Sequence, residues 1–261
     1  CNMQLDFNKY QGTGNDFIVI DNRNNQVQLT QEQIAHLCHR RFGIGADGLM
    51  LLNLQEGFDF EMKYYNSDGA EGSMCGNGGR CLTQFARDAG ILKSHYAFIA
   101  SDGTHEAIIE KTGWVKLKMS DVHSVKEQDG AFILNTGSPH YIQPVNQLNE
   151  LDVFLEGQKI RYNTQFKNEG INVNFVEQEP NGSLMVRTYE RGVEDETYSC
   201  GTGVTAAALS NKNAVIGFNT VSIVTKGGAL TVKIEKKDHQ HYQNIWLYGP
   251  ATFVFKGTIA L

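Results

Sequence analysis

Two cysteines in this chain sit in the same local setting. Cys75 heads Cys75-Gly76-Asn77-Gly78 and Cys200 heads Cys200-Gly201-Thr202-Gly203, each where a loop gives way to a helix-forming stretch, with Glu71 or Glu196 four residues earlier. The first backbone amides of a helix have no partner within it, and the helix dipole adds positive potential there. Such a turn therefore both acidifies a thiol and binds an anion. A single nucleophilic cysteine would need a paired histidine and an oxyanion hole. Two equivalent thiol-and-amide units instead suit proton transfer on opposite faces of one carbon bearing a carboxylate. One thiolate removes the proton, the opposing thiol delivers another, and the centre inverts. A carboxylate held between two helix N-termini would be stabilised most as it gains enediolate character. No Schiff-base lysine or cofactor motif is evident, so no cofactor is expected.

Other candidate motifs lead elsewhere. Gly43-Ile44-Gly45-Ala46-Asp47-Gly48 fits G-x-G-x-x-G, but that dinucleotide fingerprint must follow a strand and open a helix. Here a predicted helix precedes it and the apolar stretch Leu49 to Leu54 follows, so it reads as a Gly-rich connector. His36, Cys38 and His39 share one predicted helix, with no further ligands at a metal-binding spacing. His239 and His241 lie in a polar turn, and Asn181-Gly182-Ser183 is a glycosylation sequon that a cytoplasmic protein leaves unused. Cys38 and Cys81 read as small buried hydrophobes.

The elements that must position the two cysteines repeat as well. Leu5 to Tyr10 alternates like a half-buried strand, and Phe17 to Asp21 follows a Gly-Thr-Gly turn. Thr30 and Gln33 form a capping box for a helix running to about Arg41. Strands are expected at 49–54 and 58–65, then a helix from about Asn77 to Ala89 stopped by Gly90, then strands at 96–101, 104–111 and 114–119. A second block repeats this grammar. Its strands fall near 131–135, 140–145, 171–176 and 185–190, with a helix near 146–150 and an Ala-rich helix from Gly203 to Leu209; strands at 221–225, 229–235, 244–248 and 251–256 close it. A fainter echo pairs Asn15-Asp16-Phe17-Ile18-Val19 with Asn172-Val173-Asn174-Phe175-Val176. The matched flanks of the two cysteine turns point to a duplicated half-molecule.

Composition bounds the partners. The chain has 261 residues, 41% hydrophobic and 20% charged, which is a globular composition able to bury a core. Lys plus Arg is 23 against 29 Asp plus Glu, a net charge of −6 without a basic stripe, so nucleic acid is not an expected partner. Apolar stretches such as 48–52 are too short for a membrane span. Five cysteines, an odd set with no Cys-x-x-Cys, imply a reducing, cytoplasmic setting. Cys1 precedes a candidate initiator, Met3, and reads as an added residue or an alternative start.

Five motifs, in order, closely resemble the diaminopimelate epimerase family across almost the whole chain. They are residues 9–17 (Lys9-Tyr10-Gln11-Gly12-Thr13-Gly14-Asn15-Asp16-Phe17), 41–48 (Arg41 to Gly48), 65–71 (Tyr65-Asn66-Ser67-Asp68-Gly69-Ala70-Glu71), 74–78 (Met74-Cys75-Gly76-Asn77-Gly78) and 189–192 (Tyr189-Glu190-Arg191-Gly192) joined with the Cys200 turn. Cys-Gly-Asn-Gly, where proline racemase-like relatives have Cys-Gly-His-Gly, favours this family within its superfamily; a two-thiol racemase of proline or hydroxyproline is the alternative.

The resemblance implies cofactor-independent interconversion of LL- and meso-diaminopimelate, on the route to lysine and peptidoglycan, with Cys75 and Cys200 as base and acid. It implies that amides of Gly76, Asn77, Gly201 and Thr202 hold the reacting carboxylate. Asn15, Asn66, Asn172, Glu190 and Arg191 would bind the ammonium groups and the remote carboxylate, and His140 and Glu190 would support the acid–base pair. Two positions depart from the family: Ser138 stands where Asn is usual, and Gly48 where some members have Gln. The expected fold is α+β, with two pseudo-symmetric halves, each a curved mixed sheet wrapped on the helix after its cysteine, and the site in the cleft between them. The N-terminal half is expected over 1–119, joined by a C-terminal strand at 251–261, and the C-terminal half over 120–250. A homodimer is a further implication.

Overall fold

The computed structural model describes residues 4–261, so Cys1 and its reading lie outside the described residues. The chain divides into two compact units, Cys1–Leu117 with Gly249–Leu261, and Lys118–Tyr248.

In the first unit, β1 (Gln4–Gly12) and β2 (Asn15–Asp21) form a hairpin. Thr13 and Gly14 turn it with φ of 49° and 85°, the left-handed pair whose twist matches antiparallel strands. The capping box of Thr30 and Gln33 opens α1 (Gln31–Cys38) as its sequence predicts. The helix ends short of Arg41 because His39 leaves helical geometry, and its Nδ1 accepts from the amides of Arg41 and Phe42, both at 3.1 Å. His39 thereby leaves the helical face of His36. β2 pairs in parallel with β3 (Gly48–Asn53). Both strands are covered on two faces, which explains their continuous apolar runs: Ile18, Ile20, Leu49 and Leu51 pack with Ile34, Leu37 and Cys38 of α1, while Phe17 and Met50 lie against Gly78 of α2 (Gly76–Asp88). β4 (Phe60–Asn66) carries the short β5 (Glu71–Gly72) and, in parallel, β6 (His95–Ala100); β7 (Gly103–Ile109) and β8 (Val115–Lys118) follow. The last strand of the chain, β18 (Thr252–Ala260), pairs antiparallel with β1. α2 touches β1, β2, β3, β4, β7 and β18, so the sheet wraps the helix.

The second unit contains β9 (Val125–Gln128), β10 (Ala131–Asn135), β11 (Pro139–Pro144), α3 (Val153–Arg161), β12 (Asn172–Gln178), β13 (Leu184–Glu190), β14 (Asp195–Thr197), α4 (Gly201–Leu209), β15 (Gly217–Thr225), β16 (Gly228–Lys236) and β17 (Tyr242–Gly249). Its strand order is β9-β10-β11-β12-β13-β15-β16-β17, against β18-β1-β2-β3-β4-β6-β7-β8 in the first unit. Both orders run antiparallel, antiparallel, parallel, antiparallel, parallel, antiparallel, antiparallel. α4 touches β11, β12, β13, β15 and β16, the place α2 has in its own sheet. This repeated α+β topology is the duplication that the cysteine turns announce.

Two readings of the second block need correction. The helix expected near 146–150 is a 3-10 turn at Leu148–Glu150, and the true helix, α3, follows it, capped by Asp152, whose carboxylate accepts from the Leu155 amide. α3 shows little periodicity because Phe154 and Leu155 are exposed, while Gly157 lets it approach Tyr189. The faint echo of Asn15 with Asn172 is also misaligned. Phe17 faces Gly48 across the first unit's parallel pair and His140 faces Asn172 across the second's. Phe17 therefore corresponds to His140, Asn15 to Ser138, and Gly48 to Asn172. The next pairings, Gly48 with Asn66 and Val173 with Tyr189, make Asn66 the counterpart of Glu190.

Candidate active site

Cys75 and Cys200 are the N-caps of α2 and α4, with φ, ψ of −101°, 134° and −117°, 114°. Each carbonyl accepts the first helical hydrogen bond, from Gly79 at 2.7 Å and from Val204 at 2.8 Å. Gly76 and Asn77, and Gly201 and Thr202, thus supply the leading amides of the two helices.

Around Cys75, the Asn15 Oδ1 accepts from the thiol at 3.6 Å and from Asn77 Nδ2 at 3.3 Å, while Asn15 Nδ2 donates to Asp47 at 2.6 Å. Asp47 belongs to the Gly-rich connector, whose glycines are structural: a Cβ on Gly43 would lie 2.0 Å from the His36 carbonyl oxygen. Behind it, Arg40 bridges Asp47 and Asp16 at 2.7 Å each, and Lys9 pairs with Asp16 at 2.7 Å. Burial alone would push the Asp16 carboxyl up, but hydrogen bonds and charge from Arg40 and Lys9 outweigh it and hold the group at about 2. Arg80, fully buried, donates to Asn77 Oδ1 at 3.0 Å and to Thr13 Oγ1 at 3.4 Å. It thereby turns the Asn77 amide toward Asn15. The one sequence signal for Arg80 is its place beside Cys81 on the apolar face of α2, where a guanidinium is buried only with partners. Asn66 ends β4 and is exposed. Gly48 leaves room for Tyr64, whose ring lies 2.6 Å from where a Cβ would stand, so a larger residue at 48 has no space without moving that ring.

Around Cys200 the support is a neutral polar network. His140 is fully buried; its Nε2 lies 2.9 Å from Thr202 Oγ1 and 3.0 Å from Ser138 Oγ, and Thr202 Oγ1 lies 3.4 Å from Cys200 Sγ. Asn174 Nδ2 sits 3.0 Å from His140 Nδ1. Burial, then the charge of Arg191, hold the imidazole down at about 3, so it is neutral throughout the physiological range. Asn172 is engaged at both ends of its amide: Nδ2 donates to Ser138 Oγ at 3.2 Å and Pro139 O at 3.0 Å, and Oδ1 accepts from the Arg191 amide at 2.9 Å. Glu190 accepts from Thr197 Oγ1 at 2.9 Å. Ser138 and Asn174, neither of them a predicted site residue, lie inside this network. For Asn174 the signal was its position two residues beyond Asn172, on the same strand face. The remaining thiols, Cys38 and Cys81, are buried, and burial pushes both up to about 12, which keeps them out of acid–base chemistry. Among the described residues no group of three metal-ligating side chains is placed to hold an ion.

The buried imidazole has a consequence for stability. Because its folded value lies below the unfolded value near 6.5, the unfolded chain binds the proton first as pH falls. Stability should be complete above about 6.5 and decline by about 1.4 kcal/mol per pH unit from there toward 3. Urea midpoints measured between pH 5 and 7 should therefore slope more steeply for the natural protein than for His140→Gln; equal slopes would contradict a buried neutral imidazole.

A family model described as diaminopimelate epimerase matches residues 7–125 and 132–254. A diaminopimelate epimerase of Flavobacterium psychrophilum is 49% identical over 256 residues, covering 96% of this chain and 98% of the relative. One from Chlorobaculum tepidum is 46% identical, covering 96% and 99%. Among solved structures, a Bacillus anthracis phenazine biosynthesis protein of the PhzF family superposes with a TM-score of 0.76 at 16% identity, covering 99% of this chain and 100% of the other. A hydroxyproline epimerase from Agrobacterium vitis superposes at 0.71 and 14%, covering 99% and 93%. At such identities these likenesses speak to the fold alone, and the fold agrees with the α+β expectation. No helix among the described residues is long and apolar enough to cross a membrane.

Proposed function

We propose, since the chain belongs to the diaminopimelate epimerase family, that it interconverts LL- and meso-diaminopimelate by a two-thiol mechanism. The observation that carries the mechanism is the pair of cysteine N-caps, one per repeated unit, each with its own hydrogen-bonded support. In one direction a thiolate at Cys75 or Cys200 takes the α-proton, the bond's electrons pass into the carboxylate as an enediolate, and the other cysteine's S–H supplies a proton to the opposite face. The reverse direction exchanges the roles. In this reading the leading amides of the two helices, those of Gly76, Asn77, Gly201 and Thr202, meet the carboxylate as it gains charge, the kind of electrostatic help worth about 10² to 10³ in rate per donor.

Support for the remaining roles differs in kind. Arg191 is exposed, and its guanidinium spends one donor on the Glu169 carbonyl at 3.0 Å, leaving a fork for the remote carboxylate. Asn66 and Glu190, topological counterparts at strand ends, suit the ammonium groups. Asn15 and Asn172 also brace Cys75 and Arg191 from within the protein. The reading needs no cofactor, because thiols alone perform both proton transfers. A cytoplasmic setting belongs to it through the odd cysteine set, and a homodimer through the family resemblance.

Incubation with LL-diaminopimelate in deuterium oxide, without added cofactor, is the test. The meso product should carry deuterium at its inverted α-carbon, since the delivering thiol exchanges with solvent before use. Inverted product that keeps the original hydrogen, or no turnover at all, would refute the reading.

A further inference from the structure

Asn174 is fully buried on β12, and both ends of its amide are committed. Its Oδ1 accepts from Thr188 Oγ1 at 2.9 Å, which turns Nδ2 toward His140 Nδ1 at 3.0 Å and the Tyr141 carbonyl at 3.3 Å. Gly203 of α4 makes room for this arrangement, since a Cβ there would stand 2.2 Å from Asn174 Oδ1. A neutral imidazole has one nitrogen that donates and one that accepts. A donor facing Nδ1 makes Nδ1 the acceptor and leaves the hydrogen on Nε2.

We infer that Asn174 is a positioning residue for Cys200, acting through the His140 tautomer. With its hydrogen on Nε2, the ring donates toward the two hydroxyl oxygens within 3.0 Å, those of Thr202 and Ser138. The Thr202 hydroxyl hydrogen is then released to face Cys200 Sγ, 3.4 Å away. The opposite tautomer would draw a hydroxyl hydrogen to the ring and compete with the sulfur for it. Asn174 thus sets the direction of the hydrogen bonds that run from Thr188 through the His140 ring to Thr202, and the thiolate form of Cys200 gains an O–H donor without any charged group being added. In the first unit Phe17 occupies the topological place of His140, so no imidazole stands at that position. The inference rests on the two-thiol reading, yet its first readout involves no substrate, so the two can fail separately.

Nitrogen-15 NMR of the His140 ring distinguishes a protonated from an unprotonated nitrogen. In the natural protein Nε2 should be protonated and Nδ1 not; the reverse would overturn the inference. In Asn174→Asp, whose carboxylate can only accept, Nδ1 should become protonated, and an unchanged Nδ1 would likewise overturn it. Asn174→Leu, close to isosteric, should show mixed tautomers and a kcat about tenfold lower with KM little changed. It should also slow alkylation of Cys200 at neutral pH, with Cys75 in the same digest unaffected. Full kcat in a folded Asn174→Leu protein would reduce the residue to packing. If that variant fails to fold, the ring spectra of the natural protein and Asn174→Asp decide.

Discussion

Replacing either Cys75 or Cys200 with alanine is expected to lower epimerisation by about 10²- to 10⁴-fold while leaving the fold intact. General acid–base groups contribute about 10² to 10⁴ each, and neither the other described thiols nor His140 is placed to take over. The other two described thiols are buried and pushed up to about 12, and His140 lies behind Thr202 and is held near 3. The fold should survive because neither cysteine caps its helix through its side chain. The variants also carry a signature that a general loss of structure would not give. A single remaining thiolate can still remove an α-proton from the face it serves and return a solvent deuteron to the same face. Cys200→Ala and Cys75→Ala should therefore each exchange deuterium slowly into one stereoisomer with retention, and the preferred stereoisomer should differ between them. Circular dichroism together with mass and chiral analysis of recovered diaminopimelate checks this. Natural turnover in either variant would end the two-thiol mechanism.

What could be read from residues alone follows from where local chemistry decides structure. The cysteine N-caps, the capping box before α1 and the glycine stop at Gly90 were legible because each depends on residues within a few positions of one another. The strands β2 and β3 were legible because a parallel pair buried on two faces has to be apolar throughout. α3 escaped because it packs through Val153 and Gly157 while exposing Phe154 and Leu155, which erases the helical period. The support of each thiol was harder still. Arg80, Asn174 and Ser138 act through partners 34 to 67 positions distant, across the register between strands or from one element to another, as when Arg80 reaches Thr13. Register also corrected the internal echo. Asn15 resembles Asn172 in local sequence, but strand pairing makes Ser138 its counterpart, and this explains how a hydroxyl came to sit at the centre of the Cys200 network.

Arg191→Lys should cut kcat/KM for diaminopimelate by about 10- to 100-fold, the loss expected when a charged hydrogen bond of about 1.5 to 3 kcal/mol is given up. The backbone already fixes where this side chain starts: the Arg191 amide donates to Asn172, and Gly170, with φ of 77°, leaves space for the Arg191 Cδ 2.6 Å from where a Cβ would be. What varies in the mutant is the head group. A guanidinium can spend one nitrogen on the Glu169 carbonyl and still present two parallel N–H groups to a carboxylate, whereas an ammonium on a shorter stem presents a single point of charge. The loss should fall on the long substrate only. Any trace activity on proline or alanine, which do not extend to the Arg191 fork, should be nearly the same in the mutant and the natural protein. Steady-state rates with diaminopimelate and with proline, measured side by side, separate the outcomes. An equal loss on both substrates would place Arg191 in the folding of its loop, and proline turned over as well as diaminopimelate by the natural protein would overturn the substrate while leaving the paired thiols in place.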